Sequence, residues 1–208
     1  MSSPRRRPSP EPRGRGHLRI IGGRFRGRRL PIPDQPGLRP TPNRVRETLF
    51  NWLAPVIEGA RCLDPFAGTG ALGLEAISRG AASVILIERS EPVARQLRAN
   101  RDVLGATGVK VLQADALPWL ADADRRAALG AFDLVFLDPP FAAGLLAPAC
   151  DLLARHGWLL PGARVYLETA VADGLPLLPS GWEVLRERTA GQVRFALAMA
   201  HPPGPADG

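Results

Sequence analysis

The sequence predicts an α/β fold in which helices cover both faces of a largely parallel sheet. Short apolar segments alternate with amphipathic helical segments from residue 61 onward, and this alternation is typical of a parallel sheet that is buried on both sides. Only Thr189, Ala190 and Gly191 separate the last two apolar segments, which indicates a closing hairpin with an antiparallel last strand. A chain of 208 residues has room for one domain with short appendages.

The spacing of apolar residues places the individual elements. Val45, Leu49 and Trp52 share one helical face, so we expect a helix to begin at Pro42 with Thr41 as its N-cap. Further strands are expected at residues 61–64, 83–88, 110–114, 132–137, 164–168, 183–188 and 193–199. Further helices are expected at residues 70–79, 92–104, 119–129 and 145–155.

The composition of the two ends separates them from the domain. Residues 1–16 and 201–208 are rich in Pro, Gly and other residues with little to bury, so both are expected to be disordered tails. Residues 17–40 contain short apolar pairs around the segment GGRFRG and predict a basic β-hairpin extension. Residues 41–200 form the predicted α/β domain.

Positive charge is concentrated at the N-terminus, where the first 30 residues contain ten arginines and one glutamate. Such an arm favours a polyanionic partner, most commonly nucleic acid, although a solvated basic tail explains the charge equally well. We expect phosphate contacts mainly from the hairpin, where packing fixes the side chains. The candidate nucleic-acid-binding residues are Arg19, Arg24, Arg26, Arg28, Arg29, Arg39 and Arg44.

Several classes of protein are not expected from this sequence. Cys62 and Cys150 lie far apart, and the three histidines are scattered, so neither a metal site nor a disulfide framework is indicated. The sequence has no run of 18 apolar residues and no signal peptide. We therefore expect a cytoplasmic protein with no metal and no membrane partner.

A glycine-rich loop follows the first strand of the predicted sheet, in the segment DPFAGTG. Gly68 and Gly70 allow the backbone to approach a ligand closely, and the helix that follows offers its N-terminal N–H groups. Together with Gly73 they also match the dinucleotide-binding pattern GxGxxG, so a nicotinamide dehydrogenase is an alternative. This loop alone does not decide between ligands.

Acidic residues end three consecutive strands: Asp64, Glu88 and Asp115. The carboxyl ends of parallel strands meet at one edge of a sheet, so these side chains should lie on the same rim. Glu88 is placed to accept hydrogen bonds from ribose hydroxyls, which suits NAD and S-adenosylmethionine equally. Asp115 could accept from an adenine amino group.

The segment Asp138-Pro139-Pro140-Phe141 directly follows the strand FDLVFL. The two prolines fix the backbone and remove N–H donors, so the Asp138 carboxylate and the Pro139 carbonyl become neighbouring acceptors. Two acceptors suit an amino group, and Phe141 offers a face for stacking a base, worth about 1–3 kcal/mol. Hydrogen bonds to both N–H groups would localise the lone pair of an aryl amine and aim it at a sulfonium methyl group. The base would have to leave its stack.

These motifs resemble those of class I amino-methyltransferases, which have a seven-stranded sheet with helices on both faces. The segments LRIIGGRFRGRRLPIP, LRPTPNRVRETLFNWL, DPFAGTGALGLEAISRGA, FLDPPF and AGQV resemble more closely the bacterial 16S rRNA guanine-N2-methyltransferases, from Leu18 to Met199. The resemblance implies methyl transfer from S-adenosylmethionine to a guanine N2 amine in small-subunit ribosomal RNA, in an assembled particle, by a monomer.

The resemblance also implies a set of roles for individual residues. Asp138, Pro139, Pro140 and Phe141 would hold the guanine. The residues implied to bind S-adenosylmethionine are Asp64, Phe66, Ala67, Gly68, Gly70, Glu88, Arg89, Asp115 and Ala116.

Two further alternatives remain open from the sequence. Asp-Pro-Pro-aromatic segments also occur in adenine-N6 DNA methyltransferases, so the motif indicates an amino group and does not identify the base. A non-enzymatic ribosome-assembly factor that has lost the use of its cofactor site would share the basic hairpin.

Overall fold

The computed structural model describes residues 16–201, apart from the side chain of residue 142. The two predicted tails therefore lie almost entirely outside the described residues. The strands are β1 (His17–Arg19), β2 (Arg29–Pro31), β3 (Arg61–Asp64), β4 (Ser83–Glu88), β5 (Val109–Gln113), β6 (Phe132–Leu137), β7 (Leu159–Ala170), β8 (Trp182–Ala190) and β9 (Val193–Ala200). The helices are α1 (Asn43–Leu53), α2 (Gly73–Ser78), α3 (Glu91–Leu104), α4 (Ala116–Leu120), α5 (Ala123–Leu129) and α6 (Leu146–Arg155), and a 3-10 turn covers Phe141–Ala143.

The main sheet has seven strands in the order β5-β4-β3-β6-β7-β9-β8. Strands β3 to β7 pair in parallel, and β9 lies antiparallel between β7 and β8. A separate antiparallel pair joins β1 and β2. The predicted fold class is confirmed, including the antiparallel last strand and the N-terminal hairpin.

Alternating strand residues divide the core between the two faces of the sheet. Phe136 belongs to the core beneath α1, α2 and α3, whereas its neighbours Val135 and Leu137 belong to the core beneath α4 and α6. Successive residues of a strand point to opposite faces, so each buried strand needs apolar residues throughout. This requirement explains the uninterrupted apolar runs that the sequence shows.

The β1–β2 hairpin packs against the main domain and shares its core. Leu18, Ile20, Leu30 and Ile32 are all buried in the same cluster as α1, α2 and α3. The exposed residues of the hairpin are largely its arginines. The hairpin therefore presents charge outward while its apolar side completes the domain.

The turn of the hairpin docks on the C-terminal end of α2. The Ser78 carbonyl accepts from the Arg24 amide at 2.7 Å, and the Ser78 hydroxyl donates to the Gly22 carbonyl at 2.6 Å. Gly23 has a φ of 72°, and a Cβ there would lie 1.8 Å from the Ser78 carbonyl oxygen. Only glycine fits this approach.

Glu75, on α2, fixes the hairpin to the domain. Its side chain is fully buried, and its two oxygens accept the amides of Ile21 and Gly22, both at 2.8 Å. The Arg79 guanidinium donates to the same carboxylate at 2.7 Å, and Arg46 approaches it at 3.4 Å. One carboxylate thus joins the hairpin, α1 and α2.

Arg46 connects Glu75 to the segment before α1 through hydrogen bonds. It is 1% exposed. Its guanidinium donates to the Thr41 carbonyl at 3.2 Å, to the Arg19 carbonyl at 2.9 Å and to Asn43 Oδ1 at 2.7 Å. These hydrogen bonds offset the cost of burying the guanidinium, because each one replaces a bond to water.

The structure corrects three details of the sequence prediction. Pro42, not Thr41, is the N-cap of α1, and no side chain caps this helix; the Thr41 hydroxyl bonds to a distant side chain instead. The helix expected at 70–79 begins at Gly73. The helix expected at 119–129 is two short helices, because Asp122 caps α5 by accepting the Arg125 amide.

Within residues 16–201, no helix has both the length and the apolar character that crossing a membrane requires.

We expect Glu75→Ala to lower the free energy of unfolding by about 3–5 kcal/mol, because it leaves the buried Arg46 charge unpaired. The matched control is Glu91→Ala, which removes the exposed Glu91–Arg95 pair and should cost at most about 1 kcal/mol. Urea unfolding of both variants measures the difference. An equal loss of unfolding free energy in the two variants would contradict the conclusion that Glu75 fixes the hairpin to the domain.

Candidate active site

The candidate site lies at the edge where the parallel strands of the main sheet end. Asp64 is the last residue of β3, Glu88 is the last residue of β4, and Asp138 directly follows β6. Parallel pairing of β3 with β4 and of β3 with β6 brings these strand ends side by side. Strand β5, which ends two residues before Asp115, pairs in parallel with β4, so the common edge expected for Asp64, Glu88 and Asp115 is present and Asp138 joins it.

The glycine-rich loop closes over this edge between β3 and α2. The Ala67 amide donates to the Ile87 carbonyl at 3.0 Å, and the Gly68 amide donates to Glu88 Oε2 at 3.0 Å. Gly68 and Gly70 have φ values of 49° and 76°, in the region that favours glycine. The loop is thus bonded to the neighbouring strand β4.

The three glycines of the GxGxxG pattern have different surroundings. A Cβ on Gly70 would lie 2.7 Å from Leu97, and one on Gly73 would lie 2.3 Å from Leu86, so both positions are closed by packing. A Cβ on Gly68 would meet nothing nearer than Leu38 at 3.5 Å. Of the three, Gly68 is the glycine whose surroundings leave room for a further atom.

Glu88 organises the loop from the end of β4. In addition to the Gly68 amide, its carboxylate accepts the Ser90 amide at 2.7 Å through Oε1. Each carboxylate oxygen has two lone pairs, so each retains one for a ligand hydroxyl. This arrangement fits the predicted contact with a ribose.

The remaining predicted cofactor residues surround this edge. Asp115 is exposed at the start of α4 and makes no side-chain capping bond, and Ala116 is the buried first residue of that helix. Arg89 is exposed and Phe66 is half-buried. The Asp115 carboxylate is therefore available to a ligand at the end of β5.

The Asp-Pro-Pro-Phe segment leaves β6 beside the glycine loop. The Asp138 carboxylate accepts a hydrogen bond from the Thr41 hydroxyl at 2.9 Å through Oδ2. Pro139 is buried, whereas Pro140 is exposed and Phe141 is 38% exposed. Oδ1 of Asp138 and the Pro139 carbonyl remain as acceptors, and the Phe141 ring is partly open to a stacking partner.

Two site residues were not identified from the sequence: Tyr166 and Glu168. Both lie on β7 and are buried, and the Tyr166 hydroxyl donates to Glu168 Oε2 at 2.5 Å. The sequence placed Glu168 at the end of a strand, which is the signal that singled out Glu88. The hydrogen bond from Thr41 to Asp138 was also not identified from the sequence, because the two residues are 97 positions apart.

Three carboxyl groups at this edge, those of Asp64, Asp138 and Glu168, have raised pKa values. Burial, reinforced by the charge of Asp138, raises the pKa of Asp64 to about 8. Burial and Asp138 likewise raise the pKa of Glu168 to about 8, and loss of water contact raises the pKa of Asp138 to about 6. Adjacent buried carboxyls resist a second negative charge. A cationic ligand would relieve this repulsion.

The candidate RNA-binding arginines are all exposed but do not gather at one point. Arg24, Arg26 and Arg28 lie in the turn of the hairpin, which docks at the C-terminal end of α2. Because α2 begins beside Asp64, this turn is at the end of α2 remote from the site. Arg39 and Arg44 flank Thr41, which contacts Asp138.

No cluster of three or more potential metal ligands occurs in the part of the chain that the structure covers.

The strand order, the loop between β3 and α2 and the acceptor segment after β6 define a class I S-adenosylmethionine-dependent methyltransferase. S-adenosylmethionine carries a sulfonium and an ammonium charge, so it fits an edge lined by Asp64 and Asp138. The hydroxyls of its ribose fit Glu88.

Comparison with known proteins identifies the family. The family model described as "Conserved hypothetical protein 95" matches residues 18–199. Ribosomal RNA small subunit methyltransferase D of Escherichia coli strain K12 is 50% identical over 95% of this chain and 98% of its own length. The Haemophilus influenzae protein of the same name is 43% identical over 89% and 95%. The solved structure of the Escherichia coli protein yhhF superposes with a TM-score of 0.83 and 48% identity, covering 90% and 99%. This chain therefore belongs to the family that the model over residues 18–199 describes, which includes ribosomal RNA small subunit methyltransferase D.

We expect the affinity for S-adenosylmethionine to increase between pH 6 and pH 8, by up to about tenfold per pH unit for each proton released. The raised pKa of Asp64 means that a proton must leave before the carboxylate can pair with a cation. Isothermal titration calorimetry in buffers of different ionisation enthalpy measures both the affinity and the number of protons released on binding.

S-adenosylhomocysteine, which lacks the sulfonium charge, should show a smaller increase. Asp64→Asn should flatten the dependence while its side-chain oxygen still accepts the Gly73 amide, a bond of 3.2 Å in the native chain. The same pH dependence for both ligands in both proteins would contradict this assignment.

Proposed function

We propose that this protein transfers the methyl group of S-adenosylmethionine to the exocyclic N2 amine of a guanine in small-subunit ribosomal RNA. The observation that carries the proposal is the pair of acceptors after β6, Asp138 Oδ1 and the Pro139 carbonyl, beside the glycine loop. The names of the relatives support ribosomal RNA of the small subunit as the substrate.

The chemistry follows from the positions of these acceptors. The bound cofactor supplies an electrophilic methyl group on a sulfonium sulfur. Asp138 and the Pro139 carbonyl accept the two N–H groups of the target amine, which favours a pyramidal nitrogen and directs its lone pair. Thr41 holds the other oxygen of Asp138 at 2.9 Å and so orients the carboxylate. Phe141 stacks on the extruded base.

The cofactor is held by the neighbouring strand ends in this proposal. Glu88 accepts the ribose hydroxyls, and Gly68 lets the cofactor approach the backbone of the loop. Gly70, which packs against Leu97, maintains the conformation of the loop. Asp64 balances positive charge, and Asp115 accepts from the adenine amine. Phe66, Ala67, Arg89 and Ala116 complete the surroundings of the nucleoside.

We assign distinct tasks to two parts of the chain. Residues 17–40 form an RNA-binding extension, and residues 41–200 form the catalytic domain. The hairpin turn and the site lie at opposite ends of α2, whose six residues span about 9 Å, so an RNA that contacts both extends beyond the target base. We propose that the substrate is the assembled small subunit, which offers such an RNA surface. The protein would act on it as a monomer in the cytoplasm.

An adenine-N6 methyltransferase is the nearest alternative, because the acceptor pair would also bind an adenine amine. Between Gly70 and Asp138, however, the structure contains core strands and the helices that cover them. An inserted target-recognition region would interrupt this stretch. Asp138 can also accept from guanine N1–H, which adenine lacks, and this favours guanine.

We expect Asp138→Ala to reduce methyl transfer to small ribosomal subunits by about a hundredfold or more, on the scale of lost transition-state hydrogen bonds. The affinity for S-adenosylmethionine should change little, because the partner of Asp138 is the target amine. Transfer of labelled methyl groups and calorimetric binding give the two quantities. A parallel loss of cofactor binding would instead make Asp138 a cofactor residue.

Replacing Arg24, Arg26 and Arg28 by Ala should weaken binding to small ribosomal subunits and flatten its dependence on salt. Removing one arginine that neutralises a phosphate reduces the slope of log affinity against log salt by about 0.7–0.9. The control replaces three exposed arginines on other surfaces, Arg125, Arg155 and Arg188. An unchanged slope in the hairpin variant would show that the hairpin is not the RNA surface.

A further inference from the structure

Glu168 lies beside Asp138 but takes no part in the proposed mechanism. Strands β6 and β7 are parallel, with Phe136 opposite Tyr166 and Leu137 opposite Leu167. The same register places Asp138 next to Glu168, across a strand spacing of about 4.8 Å. The two carboxyl groups are therefore neighbours at the end of the sheet.

The two side chains also share a face of the sheet. Phe136 and Tyr166 both belong to the core beneath α1, and residues two positions further along each strand point the same way. Glu168 is 4% exposed. The Tyr166 hydroxyl bonds to its Oε2 at 2.5 Å, so Glu168 is held in place next to Asp138.

The groups around Glu168 leave it without a positive partner among the described residues. On the other side of β7, its partner in register is Phe195. The nearest arginine along that strand, Arg194, pairs with Glu187 at 2.6 Å. From β3, Asp64 adds a further carboxyl to the edge. Two adjacent carboxyls with no cation hold one proton between them over a range of pH.

We propose that Glu168 is a positioning residue for methyl transfer, and that it keeps a proton next to an ionised Asp138. The pair then presents one negative charge to the target amine. This inference rests on the proposed function. A second anion beside Asp138 would repel its carboxylate from the position that Thr41 and Pro139 define.

The proton balance of the reaction is consistent with this role. As the N–C bond forms, the S–C bond breaks and its electron pair stays on sulfur. The methylated nitrogen then carries a positive charge and two hydrogens. It gives one proton to the Asp138 carboxylate, which passes it to solvent, and Glu168 retains its own proton throughout.

The test compares Glu168→Gln with the native chain in single-turnover methyl transfer to small ribosomal subunits across pH. Glutamine resembles a protonated glutamate, so the rate near pH 7 should stay within about threefold. In the native chain the rate should increase as Asp138 ionises and decrease as Glu168 ionises. Glu168→Gln should keep the increase and lack the decrease.

Two further variants sharpen the test. Tyr166→Phe should move the decrease to higher pH, because the Tyr166 hydrogen bond lowers the pKa of Glu168. Glu187→Gln, the same substitution on the exposed strand β8, should leave the profile unchanged. A decrease that persists in Glu168→Gln would overturn the proposal, and so would a uniform loss of rate at every pH.

A second measurement is independent of the reaction. The infrared spectrum of the native chain at neutral pH should contain a protonated-carboxyl component that Glu168→Gln removes, while the contribution of Asp64 remains in both proteins; identical spectra would overturn the proposal. If the native chain methylates no guanine, the proposed function fails while this spectrum still reports the proton on Glu168.

Discussion

The fully buried carboxylate of Glu75 is the contact on which the arrangement of the N-terminal half depends. It accepts two backbone amides of the hairpin and two guanidinium groups, from Arg46 and Arg79. Arg46 in turn donates to the Thr41 carbonyl, and the Thr41 hydroxyl donates to Asp138. A continuous set of polar contacts therefore joins the basic hairpin to Asp138, the proposed acceptor of the target amine.

This connection gives a physical reason for a hairpin that shares the domain core. A flexible basic arm would attract RNA but would not fix its register relative to the site. Burial of Leu18, Ile20, Leu30 and Ile32 and the bonds to Glu75 hold the hairpin arginines on a rigid body. In our proposal, phosphate contacts on that body determine which nucleotide reaches Asp138, while the acceptors there determine which amine reacts.

The sequence was informative where a residue type and a strand end coincide. Asp64, Glu88 and Asp115 could be placed on one edge, and Asp138 directly after a further strand, because alternating strands and helices imply parallel pairing, and parallel strands end together. The loop glycines were recognisable for the same reason. These predictions needed only the order of elements along the chain.

The contacts that the sequence did not reveal are those set by tertiary packing. Thr41 precedes Pro42 and resembles a helix cap, but its hydroxyl is drawn to Asp138 by the docking of α1. The proximity of Glu168 to Asp138 follows only from the register of β7 against β6. The division between α4 and α5 was visible in principle, because Asp122 three residues before Arg125 is a capping position.

Asp138 and Pro139, after β6, are in our proposal the amine acceptors that select guanine N2 in small-subunit ribosomal RNA. The most direct test is to incubate the purified protein with small ribosomal subunits and labelled S-adenosylmethionine, digest the RNA and identify the labelled nucleoside. The account predicts N2-methylguanosine from the small-subunit RNA. Label in N6-methyladenosine, or no label in the RNA, would contradict it.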